Sequence, residues 1–228
     1  MDISEIYIIK ISAYRESSNL YDAIAKDYGK ITLIHKGIKT NKKNYQLELF
    51  TSYKVSWSGK GEIKFLRSYE IISENALDKK HYIIGMYFNE LMYYLIKNDY
   101  QIEKLYDHYL VSLFELKSSD HFLITLNNYE IGLLNLAGNY LNFETDINDE
   151  EIDGTLEYSY IPEQGPLINS NKAESYSGET FLALSGKIAY QDKTLRESRL
   201  LMKRLIDYYI RPKKIKTREI LKFTSFDY

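Results

Sequence analysis

The chain has 228 residues, a mass of 26.9 kDa and a formal net charge of −2, and 44% of its residues are hydrophobic. This length and composition allow one large domain or two small ones, and they exclude a disordered tail. No uncharged apolar run approaches the roughly 20 residues needed to cross a bilayer, which excludes a membrane-spanning protein. The absence of cysteine excludes disulfides, thiolate metal sites and cysteine nucleophiles. The N-terminal sequence predicts no signal peptide, so we expect a cytosolic protein.

The first third of the sequence alternates between apolar and polar residues with the period of a β-strand. In residues 46–58 the odd positions are mostly apolar, and this register predicts that Trp57 packs in a core. Residues 58–61 (SGKG) predict the turn of a hairpin, because alternation resumes at 62–66. With earlier strands this makes about five, the number in a small closed barrel of the OB-fold type, and an SH3-like barrel has a similar count. The earlier predicted strands are 3–11, 20–25 and 31–35.

After residue 78 the apolar residues recur at helical spacing. Apolar series that begin at Ile84, Ile102 and Leu126 predict three helices, so a helical domain follows the barrel. The predicted fold class is α+β. Its domains are an OB-fold at 1–78 and a helical domain at 79–228.

An acidic, Asn-rich segment at about 142–177 predicts a small irregular insertion in the helical domain. Within it we predict a short hairpin around 155–160 and a rigid turn at 162–166. A last helix is predicted to be capped by Thr194 and stopped by Pro212.

The near-neutral total charge conceals blocks of opposite sign. Residues 26–67 carry ten basic and three acidic residues, a net charge of +7, and residues 193–222 carry eleven and three, a net charge of +8. Residues 144–163 carry eight carboxylates and no basic residue. Such asymmetry points to an electrostatic partner such as DNA or RNA, although charge runs are also typical of solvated faces.

Two basic clusters predict binding to phosphates without a requirement for a particular base. The first is a basic loop after a predicted strand, and the second is the last helix with the segment that follows it. The loop lysines are Lys36, Lys39, Lys42 and Lys43. The second cluster contains Arg196, Arg199, Lys203, Lys213, Lys214, Lys216 and Arg218. The spacing of the first three predicts one stripe beside the apolar face of the helix.

Six tyrosines are interspersed with the lysines of the predicted barrel, as a groove for single-stranded nucleic acid requires. A composition rich in Tyr, Ile, Lys and Asn gives many tyrosines in any case. Two explanations of these tyrosines therefore stay open, namely stacking on bases and the overall composition. These tyrosines are Tyr14, Tyr21, Tyr28, Tyr45, Tyr53 and Tyr69.

The sequence has no pattern typical of catalysis. The four histidines lie far apart, and nucleophile elbows, phosphate loops and dinucleotide fingerprints are absent. The carboxylates of 144–163 leave a Mg²⁺-dependent nuclease open, although they lack a spaced set on rigid elements and favour a flexible acidic loop. We therefore predict no catalytic residue, no metal, no cofactor and no enzymatic activity.

Seven short motifs, in order along nearly the whole chain, resemble those of RecO, a family of bacterial recombination mediators and DNA-annealing proteins. The motifs are YRESS at 14–18, YGKITLIHKG at 28–37, LELF at 47–50 with WSGKGEIKFL at 57–66, YFNEL at 87–91, LYDHYL at 105–110, the terminal helix at 195–204, and IKTREIL at 215–221.

The resemblance implies an OB-fold that binds single- and double-stranded DNA, followed by a helical domain. It implies binding to RecR and to the C-terminal tail of single-strand-binding protein, annealing of complementary strands, and help in loading RecA, in the cytoplasm at the bacterial nucleoid. By position it carries DNA binding onto the loop lysines at 36–43 and also onto Arg15, Lys60, Lys64 and Arg67.

The chain departs from the family pattern at two places. Many members carry a four-cysteine zinc site where this chain has residues 142–157 without cysteine. We therefore expect no zinc here, and we expect a loose hairpin in place of the zinc site. The glycine pair that usually precedes the last motif is replaced by Arg211 and Pro212. An interaction module without DNA affinity, whose basic patches bind acidic protein tails, stays open as an alternative function.

Overall fold

The structure is a computed structural model. It describes residues 1–36, 46–97, 102, 104–118, 121–168 and 174–222. By its contacts the chain divides into two compact units, one formed by Met1–Ser118 with Ile215–Asp227 and the other chiefly by Ser119–Lys214. The two helices that follow residue 78 thus belong with the barrel, a division different from the predicted one at 78/79. Within the described ranges, no helix combines the length and apolarity needed to cross a membrane.

The strands are β1 Asp2–Tyr14, β2 Ser18–Ala25, β3 Gly29–His35, β4 Thr51–Ser58, β5 Ile63–Glu74, β6 Glu157–Ile161, β7 Gly165–Ile168 and β8 Tyr176–Ser177. The helices are α1 Lys79–Leu95, α2 Leu105–Ser118, α3 Phe122–Leu136, α4 Gly178–Leu184, α5 Asp192–Tyr209 and α6 Thr217–Lys222.

The first unit contains a closed five-stranded barrel. Its strand order is β1-β2-β3-β5-β4, and antiparallel pairing of β4 with β1 closes it. The β3–β5 pair is parallel, and the β4–β5 hairpin lies where the SGKG turn predicted it. The predicted OB-fold barrel followed by helices is confirmed.

The barrel core explains the strand register. Trp57 is fully buried among Leu33, Leu47 and other apolar side chains, as its position on the odd face of β4 predicted. Tyr21 and Tyr53 belong to the same interior cluster and are at most 3% exposed. A role for these two tyrosines as exposed stacking platforms is therefore wrong, whereas Tyr45 lies outside the described residues.

Helix α1 packs on the barrel through a lysine and a glycine. The Lys30 ammonium donates hydrogen bonds of 2.8 Å to the carbonyl oxygens of Tyr93 and Ile96, which lie at the C-terminal end of the helix. A cation stabilises this end, where carbonyls lack partners within the helix. At Gly85 a Cβ atom would lie 2.7 Å from Cε1 and 2.9 Å from Cζ of Phe50, so only glycine allows this approach.

We expect Gly85→Ala to destabilise the protein although alanine is the better helix former. The helix propensity gain is about 1 kcal/mol, whereas overpacking costs about 1–3 kcal/mol. Phe50 is 2% exposed and contacts the Tyr82 ring, so it cannot move aside cheaply. Urea unfolding followed by Trp57 fluorescence should show a lower midpoint. Gly61→Ala, where an added Cβ meets nothing within 4 Å, is the control, and a Gly85→Ala midpoint at or above that of wild type would contradict the expectation.

In the second unit the acidic segment is more regular than predicted. Strands β6, β7 and β8 form a three-stranded sheet in the order β7-β6-β8. The hairpin joins β6 to β7 through residues 162–164, so the predicted turn is confirmed but the predicted hairpin at 155–160 is displaced. Phe181 of α4 packs in the core against the rings of Phe143, Tyr158 and Tyr160.

Helix α5 holds this sheet through one carboxylate. Glu197 accepts hydrogen bonds from the Ser177 amide at 2.9 Å, the Ser177 hydroxyl at 2.7 Å and the Thr180 hydroxyl at 2.6 Å. Burial acts to raise the pKa of Glu197, but the hydrogen bonds from Thr180 and Ser177 outweigh it and hold that pKa below its ordinary value. At the start of α5 the N-cap is Gln191, and Thr194 completes a capping box from the third helical position rather than being the cap itself.

Candidate nucleic-acid interface

Four of the predicted barrel cations are exposed. Arg15 lies in the turn between β1 and β2, and Lys60 lies in the turn of the β4–β5 hairpin. Lys36 directly follows β3, and Arg67 is on β5, where its Nε donates a 2.8 Å hydrogen bond to the Ser58 hydroxyl. The other loop lysines, Lys39, Lys42 and Lys43, lie outside the described residues.

The structure brings Lys36 and Arg67 together at an exposed aromatic ring. The Lys36 ammonium lies 4.6 Å from the centroid of the Phe65 ring, and Cζ of Arg67 lies 6.0 Å from it. Phe65 is 38% exposed. The charge pattern of the sequence does not single out Phe65, although its odd position on β5, shared with Arg67, is a signal that it faces outward.

Lys64 does not join this group. It is 9% exposed and pairs with Leu33, a core residue on the neighbouring strand β3. Its side chain therefore starts from the opposite face of β5 from Phe65 and Arg67. The prediction that Lys64 is an exposed phosphate contact is therefore not supported by its position.

The last motif of the chain has a structural role in the first unit. The amides of Lys216 and Thr217 donate hydrogen bonds of 2.9 Å to the two carboxylate oxygens of Glu90 on α1. Arg218 is 8% exposed, and its guanidinium donates to the Tyr87 hydroxyl at 3.3 Å. The YFNEL and IKTREIL motifs thus bind each other, and only Lys216 of the two predicted cations here is exposed.

A cleft of about 410 Å³ lies beside this contact, between β1, α1 and α6. Apolar and tyrosine side chains such as Ile9, Met86 and Tyr93 line it, together with the lysines Lys10 and Lys216. The Lys10 ammonium lies 3.7 Å from the centroid of the Tyr93 ring. Glu90 also lines the cleft, so it combines an apolar lining with two ammonium groups and one carboxylate.

In the second unit four of the five predicted cations are at least partly exposed, and they are Arg196, Lys203, Lys213 and Lys214. Arg199 is not on their stripe. It is 6% exposed and forms a bidentate ion pair with Glu130 of α3, with N–O distances of 2.7 and 3.0 Å. The structure corrects the predicted stripe, because this guanidinium lies in the interior.

The described residues do not fit the four-cysteine zinc site that the family resemblance associates with residues 142–157. The chain has no cysteine, and the described ranges contain no group of three His, Asp or Glu side chains placed to hold a metal. In the acidic segment, Asp146 accepts hydrogen bonds from the amides of Asn148 and Glu150 instead. These carboxylates order a turn and give no support to the nuclease hypothesis.

Family models match almost the entire chain. The model described as Recombination protein O N terminal matches residues 1–75, and the model described as Recombination protein O C terminal matches residues 77–219.

Several curated proteins named DNA repair protein RecO are similar over the same length. The protein from Cupriavidus metallidurans is 28% identical over 94% of this chain and 75% of its own length. The proteins from Methylococcus capsulatus and Aliivibrio fischeri are 27% and 26% identical over 98% and 96% of this chain, and each alignment covers 94% of the relative.

Proposed function

The chain belongs to the RecO family, which acts in DNA repair and recombination, and from this premise we propose that it binds single- and double-stranded DNA and anneals complementary strands. The observation that carries the proposal is the set of exposed cations on the OB-fold barrel, namely Arg15, Lys36, Lys60 and Arg67. Two of them lie in the β1–β2 and β4–β5 turns, the loops with which OB-folds bind oligonucleotides. The loop lysines Lys39, Lys42 and Lys43 extend the proposed surface.

Annealing follows from charge neutralisation. Two complementary strands repel each other through their phosphates, and cations that bind both backbones reduce this repulsion and leave the bases to pair. No covalent bond is made or broken. In this proposal, further phosphate contacts come from the exposed Lys216 of the first unit and from the at least partly exposed cations of the second unit, namely Arg196, Lys203, Lys213 and Lys214. The interior guanidiniums of Arg199 and Arg218 and the largely buried Lys64 are left out.

Changing Lys36, Lys39, Lys42 and Lys43 together to Ala should weaken binding to single-stranded DNA and slow annealing. Each lost phosphate contact reduces the slope of log affinity against log salt by about 0.7, so four lost contacts reduce it by about 2.8. Fluorescence anisotropy with a labelled oligonucleotide at several salt concentrations measures this slope.

A charge-matched control separates the loop from net charge. The control variant changes four exposed lysines of the helices and their flanks to Ala, namely Lys79, Lys97, Lys104 and Lys117. The assignment of DNA binding to the barrel loop fails if the slope of log affinity against log salt falls equally in both variants. It also fails if the slope falls in neither.

The proposed partners are those that the family resemblance implies. We assign to this chain RecR, the acidic C-terminal tail of single-strand-binding protein and, indirectly, RecA, at the nucleoid of a bacterial cytoplasm. Annealing of complementary oligonucleotides coated with their cognate single-strand-binding protein tests DNA binding and partner recognition together. The proposal predicts faster annealing with the chain than without it.

A second candidate function is favoured by the cleft beside α6. An apolar cleft lined by Lys10, Lys216 and Glu90 can receive an acidic, apolar peptide. In this alternative the chain is an interaction module whose basic surfaces bind acidic protein tails and not DNA. A gel shift with single-stranded DNA at low salt separates the two functions, because only the mediator retards the DNA.

A further inference from the structure

We propose that Phe65 is a stacking platform for one base of single-stranded DNA, and that Lys36 and Arg67 bind the phosphates next to that base. This inference rests on the proposed function, that the barrel binds DNA. It adds a base contact to a surface so far described only by its charges.

The position of Phe65 supports a rigid platform. Strand β5 lies between β3 and β4 in the barrel, and Phe65 pairs with Ile34 on one side and Ser58 on the other. Its ring is therefore carried by a strand with neighbours on both sides. A large aromatic side chain that is 38% exposed on such a strand exposes apolar surface that a base can cover.

The two cations at the ring distinguish this site from a scattered surface hydrophobe. Lys36 and Arg67 lie within 4.6 and 6.0 Å of the ring centroid, so a nucleotide that stacks there has positive charge beside its phosphates. The interaction of a cation with an exposed aromatic ring corresponds to a factor of about two to five in an equilibrium constant. A base stacked on an aromatic side chain contributes about five- to 140-fold in affinity. The base is therefore expected to replace the flexible Lys36 side chain, whose ammonium then binds a phosphate.

The location in the barrel favours a nucleic acid over an acidic peptide. The ring lies at the base of the β4–β5 hairpin and beside β3, in the region that OB-folds use to bind oligonucleotides. Stacking is also tolerant of sequence, because every base has a π-face. We therefore expect no strong base preference at this position.

The first test compares Phe65→Leu with wild type. Leucine keeps an apolar side chain but has no π-face, so the affinity for an unstructured single-stranded oligonucleotide should fall about fivefold or more. The affinity for duplex DNA should not change, because its bases are already stacked, and the salt slope should not change either. Phe114→Leu, at a phenylalanine on α2 that is 71% exposed, is the matched control and should bind as wild type.

The second test reads stacking directly. In wild type the only tryptophan, Trp57, is fully buried, so it provides a constant fluorescence background. Phe65→Trp adds an exposed indole, and single-stranded DNA should quench it. A strand of the same length made of abasic sites has the phosphates without the bases, and it should leave this fluorescence nearly unchanged.

The outcomes separate this inference from the proposed function. If wild type fails to bind single-stranded DNA at low salt, the proposed function fails and this inference with it. If wild type binds but Phe65→Leu binds equally well, or if the abasic strand quenches Phe65→Trp as strongly as an intact strand, the stacking role alone is overturned.

Discussion

Replacement of Glu130 by Ala should destabilise the second unit by about 3–5 kcal/mol. The Glu130 side chain is fully buried and binds the Arg199 guanidinium through both carboxylate oxygens, while Oδ1 of Asn127 accepts a 2.6 Å hydrogen bond from the same guanidinium. Without the carboxylate, the Arg199 charge remains in the interior and has lost its bidentate charged partner, so its burial becomes costly. Hydrogen exchange should show reduced protection in α3 and α5, the helices that the pair joins.

A double replacement tests whether the unpaired charge is the cause. Changing Glu130 to Leu and Arg199 to Met together removes both charges and should restore most of the stability, because apolar residues often replace a buried pair at little cost. Asn127 retains its hydrogen bond to the Ser198 hydroxyl. Arg196→Ala, at an exposed arginine of the same helix, should change stability by no more than about 0.5 kcal/mol. A Glu130→Ala effect as small as that of Arg196→Ala would contradict the structural role of the pair.

The same double variant separates two roles for Arg199. As a phosphate contact, Arg199 would leave a deficit in DNA affinity when it is replaced. As a structural residue it should leave DNA affinity unchanged once the fold is restored. We expect unchanged affinity in a gel shift with single-stranded DNA.

The sequence was sufficient to predict the barrel because successive side chains of a strand alternate between its two faces. Trp57, Tyr53 and Val55 share one face of β4 and all three are buried, so a local pattern determined a tertiary outcome. The helices after residue 78 were predictable because apolar residues three or four positions apart lie on one face of a helix.

The burial of particular cations could not be predicted from local patterns. Arg199 lies three residues after Arg196 and four before Lys203, a spacing typical of one exposed stripe, but its partner Glu130 is 69 residues away in sequence. Arg218 likewise contacts Tyr87 at a separation of 131 residues. Local spacing does not encode such contacts, so it cannot separate a structural arginine from a phosphate contact.

The acidic segment is more ordered than its charge predicts, and the reason is a different one. Its high charge suggested a loose loop, yet it contains a sheet that α5 holds through the Glu197 hydrogen bonds to Ser177 and Thr180. Ordered structure here depends on close packing rather than on a metal that the residues present do not fit. One close backbone approach in this packing is at Gly178, the first residue of α4.

Gly178→Ala should therefore be among the most destabilising small substitutions in the chain, with an expected cost of about 3 kcal/mol or more. A Cβ atom at this position would lie 1.9 Å from the carbonyl oxygen of Asp153 and 2.9 Å from Cα of Gly154. Both are backbone atoms, so no side-chain rotation relieves the clash. The start of α4 must move away from the 153–156 turn and give up the 2.8 Å hydrogen bond from the Gly178 amide to the Leu156 carbonyl.

Gly154→Ala is the matched control, because Gly154 lies on the other side of the same contact. There an added Cβ would approach Cδ1 of Leu182 at 3.4 Å and Cγ of Glu179 at 3.5 Å, which are ordinary contacts with flexible side chains. Its expected cost is below about 1 kcal/mol. Urea unfolding followed by circular dichroism should separate the two variants clearly, and hydrogen exchange should show the Gly178→Ala loss in β6, β8 and α4. Equal stabilities would mean that the turn can move away freely, and that packing at Gly178 does not hold the sheet.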